Sequence, residues 1–311
     1  MTRTPLALLL PLTLACSEPA EDDRPDRPPR DDTAADGDAD ADADADTDTD
    51  ADADADADAD TDVVIGPSGE FDVDVQVDGV SRSYVLYVPG AATQAMQHEP
   101  VPVVITLHGA GDTGSNFIHA TGLTSTADSD GFVLVGADAY RGGWFLTESE
   151  GWTSPDGNSM SLQNDMQLML TILDDIEAEY HVDDGAYFAV GHSRGAGFTA
   201  LMATLSSQAS IASGTWVSPF AAYGINAGYD PSGGHFDMRA ASPKRPIWIV
   251  HGTSDTTVPY SYGEDLYQAF DTAGWDVTWT PVSGAGHSWL WRSSYGQTNG
   301  DLLDFFLDNA L

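Results

Sequence analysis

The chain has 311 residues with 11 basic against 50 acidic side chains, a net charge of −39. Residues 17–62 carry 21 of the acids and three arginines, and residues 63–311 carry the other 29 against seven bases, among which Lys244 is the one lysine. A polyanion on both sides of that boundary is repelled by phosphate, which excludes nucleic-acid binding and polybasic docking to anionic lipid.

The first 16 residues hold one charge, Arg3, followed by an apolar run from Leu6 to Ala15 and then Cys16, the only cysteine. The run is shorter than the ~20 residues that span a bilayer and has the form of a signal peptide. Thr13-Leu14-Ala15-Cys16 resembles a bacterial lipoprotein box, which makes Cys16 the expected lipidation site and the lipid the expected sole attachment to a membrane. An ordinary signal peptide and a secreted product is the alternative. Residues 17–62 then run into Ala-Asp and Thr-Asp repeats. Period-two alternation suits a strand, but aspartate is poor in strands and neighbouring carboxylates repel, so this segment is expected to be a disordered, extended linker. The expected organisation is signal peptide 1–16, linker 17–62 and one catalytic domain 63–311, long enough to bury its own core.

Within that domain Phe71-Asp-Val-Asp-Val-Gln-Val alternates as a strand, Asp78-Gly79 supplies a tight turn, and Ser83 to Val88 answers as its partner. Apolar runs at Val101 to Leu107 and Phe132 to Val135 read as buried parallel strands. Leu162, Met166, Met169, Leu173, Ile176 and Tyr180 recur at helical spacing, predicting an amphipathic helix from about Ser161 to Tyr180. Strands are expected at Tyr187 to Val190, Ile247 to Val250 and Val277 to Thr280, and helices from about Gly195 to Leu205 and Asp301 to Ala310. This order implies an α/β fold: a mixed, mostly parallel sheet with helices on both faces.

Chemistry-bearing residues fall where those strands end. Gly191-His-Ser-Arg-Gly195 is a G-x-S-x-G between an apolar strand and a helix, the setting in which Ser193 would stand on a strained turn at a helix N-terminus that favours developing negative charge. A serine hydroxyl needs a base held by a third group. His251-Gly-Thr-Ser-Asp255 and Gly284-Ala-Gly-His287 each follow a strand, and the order Ser193, Asp255, His287 is that of the α/β-hydrolases. An oxyanion hole is expected from two backbone N–H groups, one on Arg194 and one on Ala110 in the loop His108-Gly-Ala-Gly111. His108 is read as bracing that loop rather than as a second catalytic histidine, and His192 and His251 as packing or hydrogen-bonding locally.

Ser81-Arg-Ser-Tyr-Val-Leu-Tyr-Val-Pro, Leu107-His-Gly-Ala-Gly, Asn164-Asp165, Tyr180-His-Val-Asp, Gly191-His-Ser-Arg-Gly, His251-Gly-Thr-Ser-Asp and Gly286-His-Ser-Trp together resemble the polyhydroxybutyrate depolymerase and feruloyl esterase group of α/β-hydrolases. The similarity spans Phe71 to Leu311. It implies a carboxylic ester hydrolase that works without metal or cofactor, with Ser193, Asp255 and His287 as its triad. Asp112 and Arg194 depart from the group's pattern, which has a further glycine and a small or polar residue there.

Trp144, Trp152, Trp216, Trp289 and Trp291 fall in expected loops near strand ends, where they would face a cleft or anchor the loops. With the last helix closing the sequence, soluble or oligomeric esters are the expected substrates. Two readings of the Arg194 side chain stand open: it faces the cleft and favours acidic esters, or it turns away to pair with an acid such as Asp165. A catalytically dead display protein, a peptidase and a lipase are the competing functions.

Overall fold

A computed structural model describes residues 65–147, 150–153, 159–205, 217–231 and 238–311, the side chain of Trp152 excepted. Cys16, the linker and Trp216 lie outside the described residues.

The chain opens with the hairpin β1 (Gly69–Val77) and β2 (Val80–Val88), paired from end to end around a turn in which Asp78 and Gly79 both have positive φ. That is the geometry an Asp-Gly turn favours, because glycine tolerates φ > 0 and aspartate is less penalised there than most residues. Then follow α1 (Gly90–Ala95), β3 (Val101–Leu107), α2 (Gly114–Thr121), α3 (Leu123–Asp130) and β4 (Val133–Ala137). A small hairpin, β5 (Gly151–Thr153) and β6 (Ser159–Ser161), leads into α4 (Leu162–Glu179). The second half runs β7 (Val182–His192), α5 (Arg194–Leu205), β8 (Ala222–Asn226), β9 (Ile247–Gly252), α6 (Tyr260–Thr272), β10 (Val277–Val282) and α7 (Asn299–Leu307).

Eight strands form one sheet in the order β1-β2-β4-β3-β7-β8-β9-β10. The pairs β1–β2 and β2–β4 are antiparallel and the rest parallel, as expected from the sequence. Along β3 the side chains divide between the two faces: Val103, Ile105 and Leu107 meet the core that includes α4 and α5, while Val104 meets the core that includes α2, α3 and α7. β7 divides in the same way, with Tyr187 and Ala189 on the first face and Phe188 and Val190 on the second. Central strands buried on both sides explain the unbroken apolar runs, each buried Val, Leu or Ile contributing ~1.5–3 kcal/mol.

Asn164 and Asp165, at the start of α4, tie this helix to the hairpin. Asn164 Oδ1 accepts the Ser161 N–H at the helix N-terminus, and its Nδ2 donates to Asp78 Oδ2 at 2.7 Å. Asp165 meets Arg82 at 2.8 Å with both side chains buried, and its second oxygen accepts the Phe145 N–H. Burial pushes the Asp165 carboxyl up to about 6 against the opposing pull of Arg82 and that amide.

Seven of these elements escaped the sequence pattern, among them the three-residue strands β5 and β6. α2 and α3 are rich in Gly, Ser, Thr and Asp, and Gly90–Ala95 is short; α6 carries a glycine inside an otherwise amphipathic run. β8, Ala-Tyr-Gly-Ile-Asn, is buried throughout and so shows no alternation.

Candidate active site

The order of the sheet turns around between β3 and β7: β3 connects outward to β4 on one side, and β7 to β8 on the other. Loops leaving the C-terminal ends of two such strands separate and open a crevice. Residues 108–113 follow β3 and Ser193 follows β7 there.

Ser193 has φ +56, a region where a residue with a Cβ is strained, and strain of this kind collects at functional turns. Two glycines make the turn possible. A Cβ on Gly191 would lie 2.3 Å from the Gly195 carbonyl oxygen, and one on Gly195 would lie 2.1 Å from the Leu107 carbonyl oxygen. The start of α5 therefore packs directly on the ends of β3 and β7, which the G-x-S-x-G spacing anticipates.

Ala110 is exposed on the loop after β3, and among the described residues its N–H meets no acceptor. The Arg194 N–H belongs to the first turn of α5, where no intrahelical acceptor exists. Gly111 N–H donates to the Gly142 carbonyl at 2.7 Å, and the buried His108 fastens the loop from beneath. Its Nδ1 bonds the Gly109 carbonyl at 2.7 Å and its Nε2 accepts the Ala139 N–H at 3.1 Å, so both ring nitrogens are engaged in bracing.

Asp255 follows β9 and His287 follows β10. His287 Nδ1 donates to Asp255 Oδ2 at 2.7 Å, while Asp255 Oδ1 accepts the N–H groups of Thr257 and Val258. His251 approaches the same Oδ2 at 3.5 Å but gives its Nε2–H to the Val258 carbonyl at 2.9 Å; burial pushes its imidazole down, toward the neutral form. The rings of His287 and His192 lie 4.7 Å apart. Burial, then the neighbouring His287, pushes His192 down to about 3. His192, the residue before Ser193, thus lies beside His287, and no hydrogen bond joins the Ser193 hydroxyl to His287 among the described residues. Such bonds are often long before substrate binds.

Arg194 turns toward an acid, but toward Glu150 rather than Asp165, which Arg82 already occupies. Its Nη2 contacts both Glu150 oxygens at 3.0 and 3.1 Å, and its Nε donates to the Trp144 carbonyl at 2.7 Å. Glu150 in turn accepts the Leu146 N–H. The pair borders a cavity of about 350 Å³ that Tyr140, Arg141 and Phe145 also line. Neither Glu150 nor these aromatic residues carried a signal in the sequence, because the loop from 138 to 151 lacks periodicity.

Three of the tryptophans weighed for the cleft are core residues instead. Trp144 is fully buried, stacks on Phe198 and donates to the His108 carbonyl. Trp289 is buried against Phe117 and donates to Asn299 Oδ1. Both anchor loops, since an indole in a dry site needs a partner for its one N–H. Trp291 is buried beside Trp248, and the backbone of Trp152 lies in β5.

The model of the phospholipase/carboxylesterase family matches residues 89–294. NocK of Nocardia uniformis subsp. tsuyamanensis, a protein assigned as an esterase, is 27% identical over 123 residues, 39% of this chain; the match spans 33% of NocK's own length. Among solved structures, an S-formylglutathione hydrolase from Agrobacterium tumefaciens superposes with a TM-score of 0.56 at 19% identity, over 78% of this chain and 95% of that one. The esterase Est2 from Thermogutta terrifontis gives 0.55 at 19% identity, over 77% and 91%. At these identities the likeness is one of fold.

Proposed function

This chain belongs to the phospholipase/carboxylesterase family, and from that premise we propose that it is a serine carboxylic-ester hydrolase using Ser193, His287 and Asp255. The observation that carries the reading is the 2.7 Å bond from His287 Nδ1 to the buried Asp255, set beside the strained turn that presents Ser193. Asp255 fixes the imidazole with its proton on Nδ1, which leaves Nε2 free to accept one. In the reaction Ser193 Oγ attacks the ester carbonyl as its proton passes to His287 Nε2. The N–H groups of Ala110 and Arg194 hold the oxyanion, and collapse of the tetrahedral intermediate expels the alcohol with the proton from His287. Water, deprotonated by His287, then attacks the acyl-enzyme and releases the acid.

The substrate class is a soluble or oligomeric ester of the kind handled by the polyhydroxybutyrate depolymerase and feruloyl esterase group, which the motifs from Ser81 to Trp289 resemble. The cavity beside Arg194, with the rings of Tyr140 and Phe145 in its wall, has room for an acyl group of modest size. Glu150 offsets the Arg194 charge at 3.0 Å, which weighs against a selective taste for acidic esters. The enzyme works outside the cytoplasm, tethered by lipid on Cys16 through the acidic linker.

A fluorophosphonate probe with the parent and Ser193→Ala tests the chemistry. Labelling of the parent and none of the variant, with ester turnover lost by several orders of magnitude, is the expected result. Equal labelling of both would remove Ser193 from the mechanism, and an inert parent would favour a display protein on the same fold. Acetyl, hydroxybutyryl and feruloyl esters then rank the acyl groups.

A further inference from the structure

Asn226 ends β8, is fully buried and reaches both halves of the site. Its backbone carbonyl accepts the Ser193 N–H at 3.0 Å. Its side-chain Oδ1 accepts the Leu290 N–H at 3.0 Å, and its Nδ2 donates to the Ser288 carbonyl at 2.9 Å and to His192 Nδ1 at 2.6 Å. One amide therefore joins the turn that carries Ser193 to the loop that carries His287.

The bonding pattern fixes the orientation of the amide. Rotated by half a turn, its oxygen would face the Ser288 carbonyl and its NH2 would face the Leu290 N–H, two repulsive pairs in place of two bonds. Both hydrogens of Nδ2 are thereby engaged, one of them at His192 Nδ1, which must supply a lone pair. The single proton of the neutral His192 ring then sits on Nε2. This ring lies 4.7 Å from that of His287 and faces Phe117, and its Cδ2 would meet a Cβ on Gly109 of the oxyanion loop at 3.4 Å. A positive charge at His192 would oppose proton uptake by His287 through like-charge repulsion.

Resting on the triad reading above, we propose that Asn226 is a positioning residue: it sets the Ser193 turn and the His287 loop in register and holds His192 as the uncharged Nε2–H tautomer between them. A side chain needed only to fill space would not direct three hydrogen bonds to three different residues. Small errors in such registers are expensive, since a displacement of about 1 Å costs on the order of 100-fold in rate.

The test is Asn226→Asp in the full chain. Aspartate has nearly the same shape and keeps an acceptor for Leu290, but it loses both donors and sets a carboxylate against His192 Nδ1, which must then take up a proton. On p-nitrophenyl acetate the expected result is a kcat lower by roughly 10–100-fold with KM within about twofold of the parent, in a protein with parental circular dichroism. An unchanged kcat, or a loss confined to KM, would overturn the proposal. Should the variant fail to fold, the parent still decides: long-range ¹H–¹⁵N spectra of histidine-labelled protein at neutral pH should show His192 protonated on Nε2 alone, and a proton on Nδ1 would overturn the assignment. Failure of the triad reading is seen separately, as absence of fluorophosphonate label on Ser193 in the parent.

Discussion

His287 gives its Nδ1 proton to Asp255 across 2.7 Å, although the two residues stand 32 positions apart on loops that follow different strands. Parallel pairing of β9 with β10 brings the ends of those strands side by side, with Val282 in register with Gly252. The loops continue the contact, as the Thr253 N–H donates to the Val282 carbonyl and the Ser254 N–H to the Ala285 carbonyl. The acid and the histidine are therefore set by the sheet rather than by loop chance.

Asp255→Asn should accordingly keep the fold and lose the tautomer. An amide NH2 facing His287 favours the ring with its proton on Nε2, which cannot act as base. Steady-state hydrolysis of a p-nitrophenyl ester should show kcat down on the order of 10³–10⁴-fold. A loss under tenfold would mean that Asp255 does not orient the base.

His192 makes stability depend on pH. Its folded value of about 3 lies below the ordinary histidine value of 6.5, so between these limits the unfolded chain binds a proton that the folded chain does not. The stability is fully present above pH 6.5 and declines as pH falls toward 3. Asp165, pushed up to about 6, has the opposite slope from about pH 4 to 6, but it is common to parent and variant. Melting curves from pH 7 to 4.5 should therefore show the parent losing ground relative to His192→Gln as acid is added; parallel curves would place His192 in water.

Arg82 and Asp165 form the third case. Arg82→Met strands a buried carboxylate whose remaining partner is the Phe145 N–H, and urea titration should show a loss of about 3–5 kcal/mol. Arg82→Met with Asp165→Leu should recover much of it, because no charge is then left without a partner. A single variant as stable as the parent would mean that water reaches the pair.

Localisation has its own test. If Cys16 carries lipid, the parent should sediment with membranes and Cys16→Ser should be released or remain unprocessed, since no helix among the described residues is long and apolar enough to cross a bilayer. A parent found in the soluble fraction would refute the anchor and leave the enzyme untouched.

The hairpin at Asp78-Gly79, the buried runs of β3 and β7, the helical stripe of α4 and the strand ends bearing Ser193, Asp255 and His287 were legible in the sequence, because each rests on local geometry: period two, period 3.6, positive φ, or close approach at glycine. The residues that tie these parts together were not. Asn226 ends a strand buried on both faces, Glu150 lies in an aperiodic loop, and nothing near either in sequence announces its partners at His192, Ser288, Leu290 or Arg194. The buried tryptophans show the same division, since an indole in a loop has identical local chemistry whether it faces a cleft or the core, and packing alone decided for Trp144 and Trp289. Sequence thus determined which groups could do the chemistry. Tertiary structure decided which hydrogen bonds hold them, because those bonds join strands adjacent in the sheet and distant along the chain.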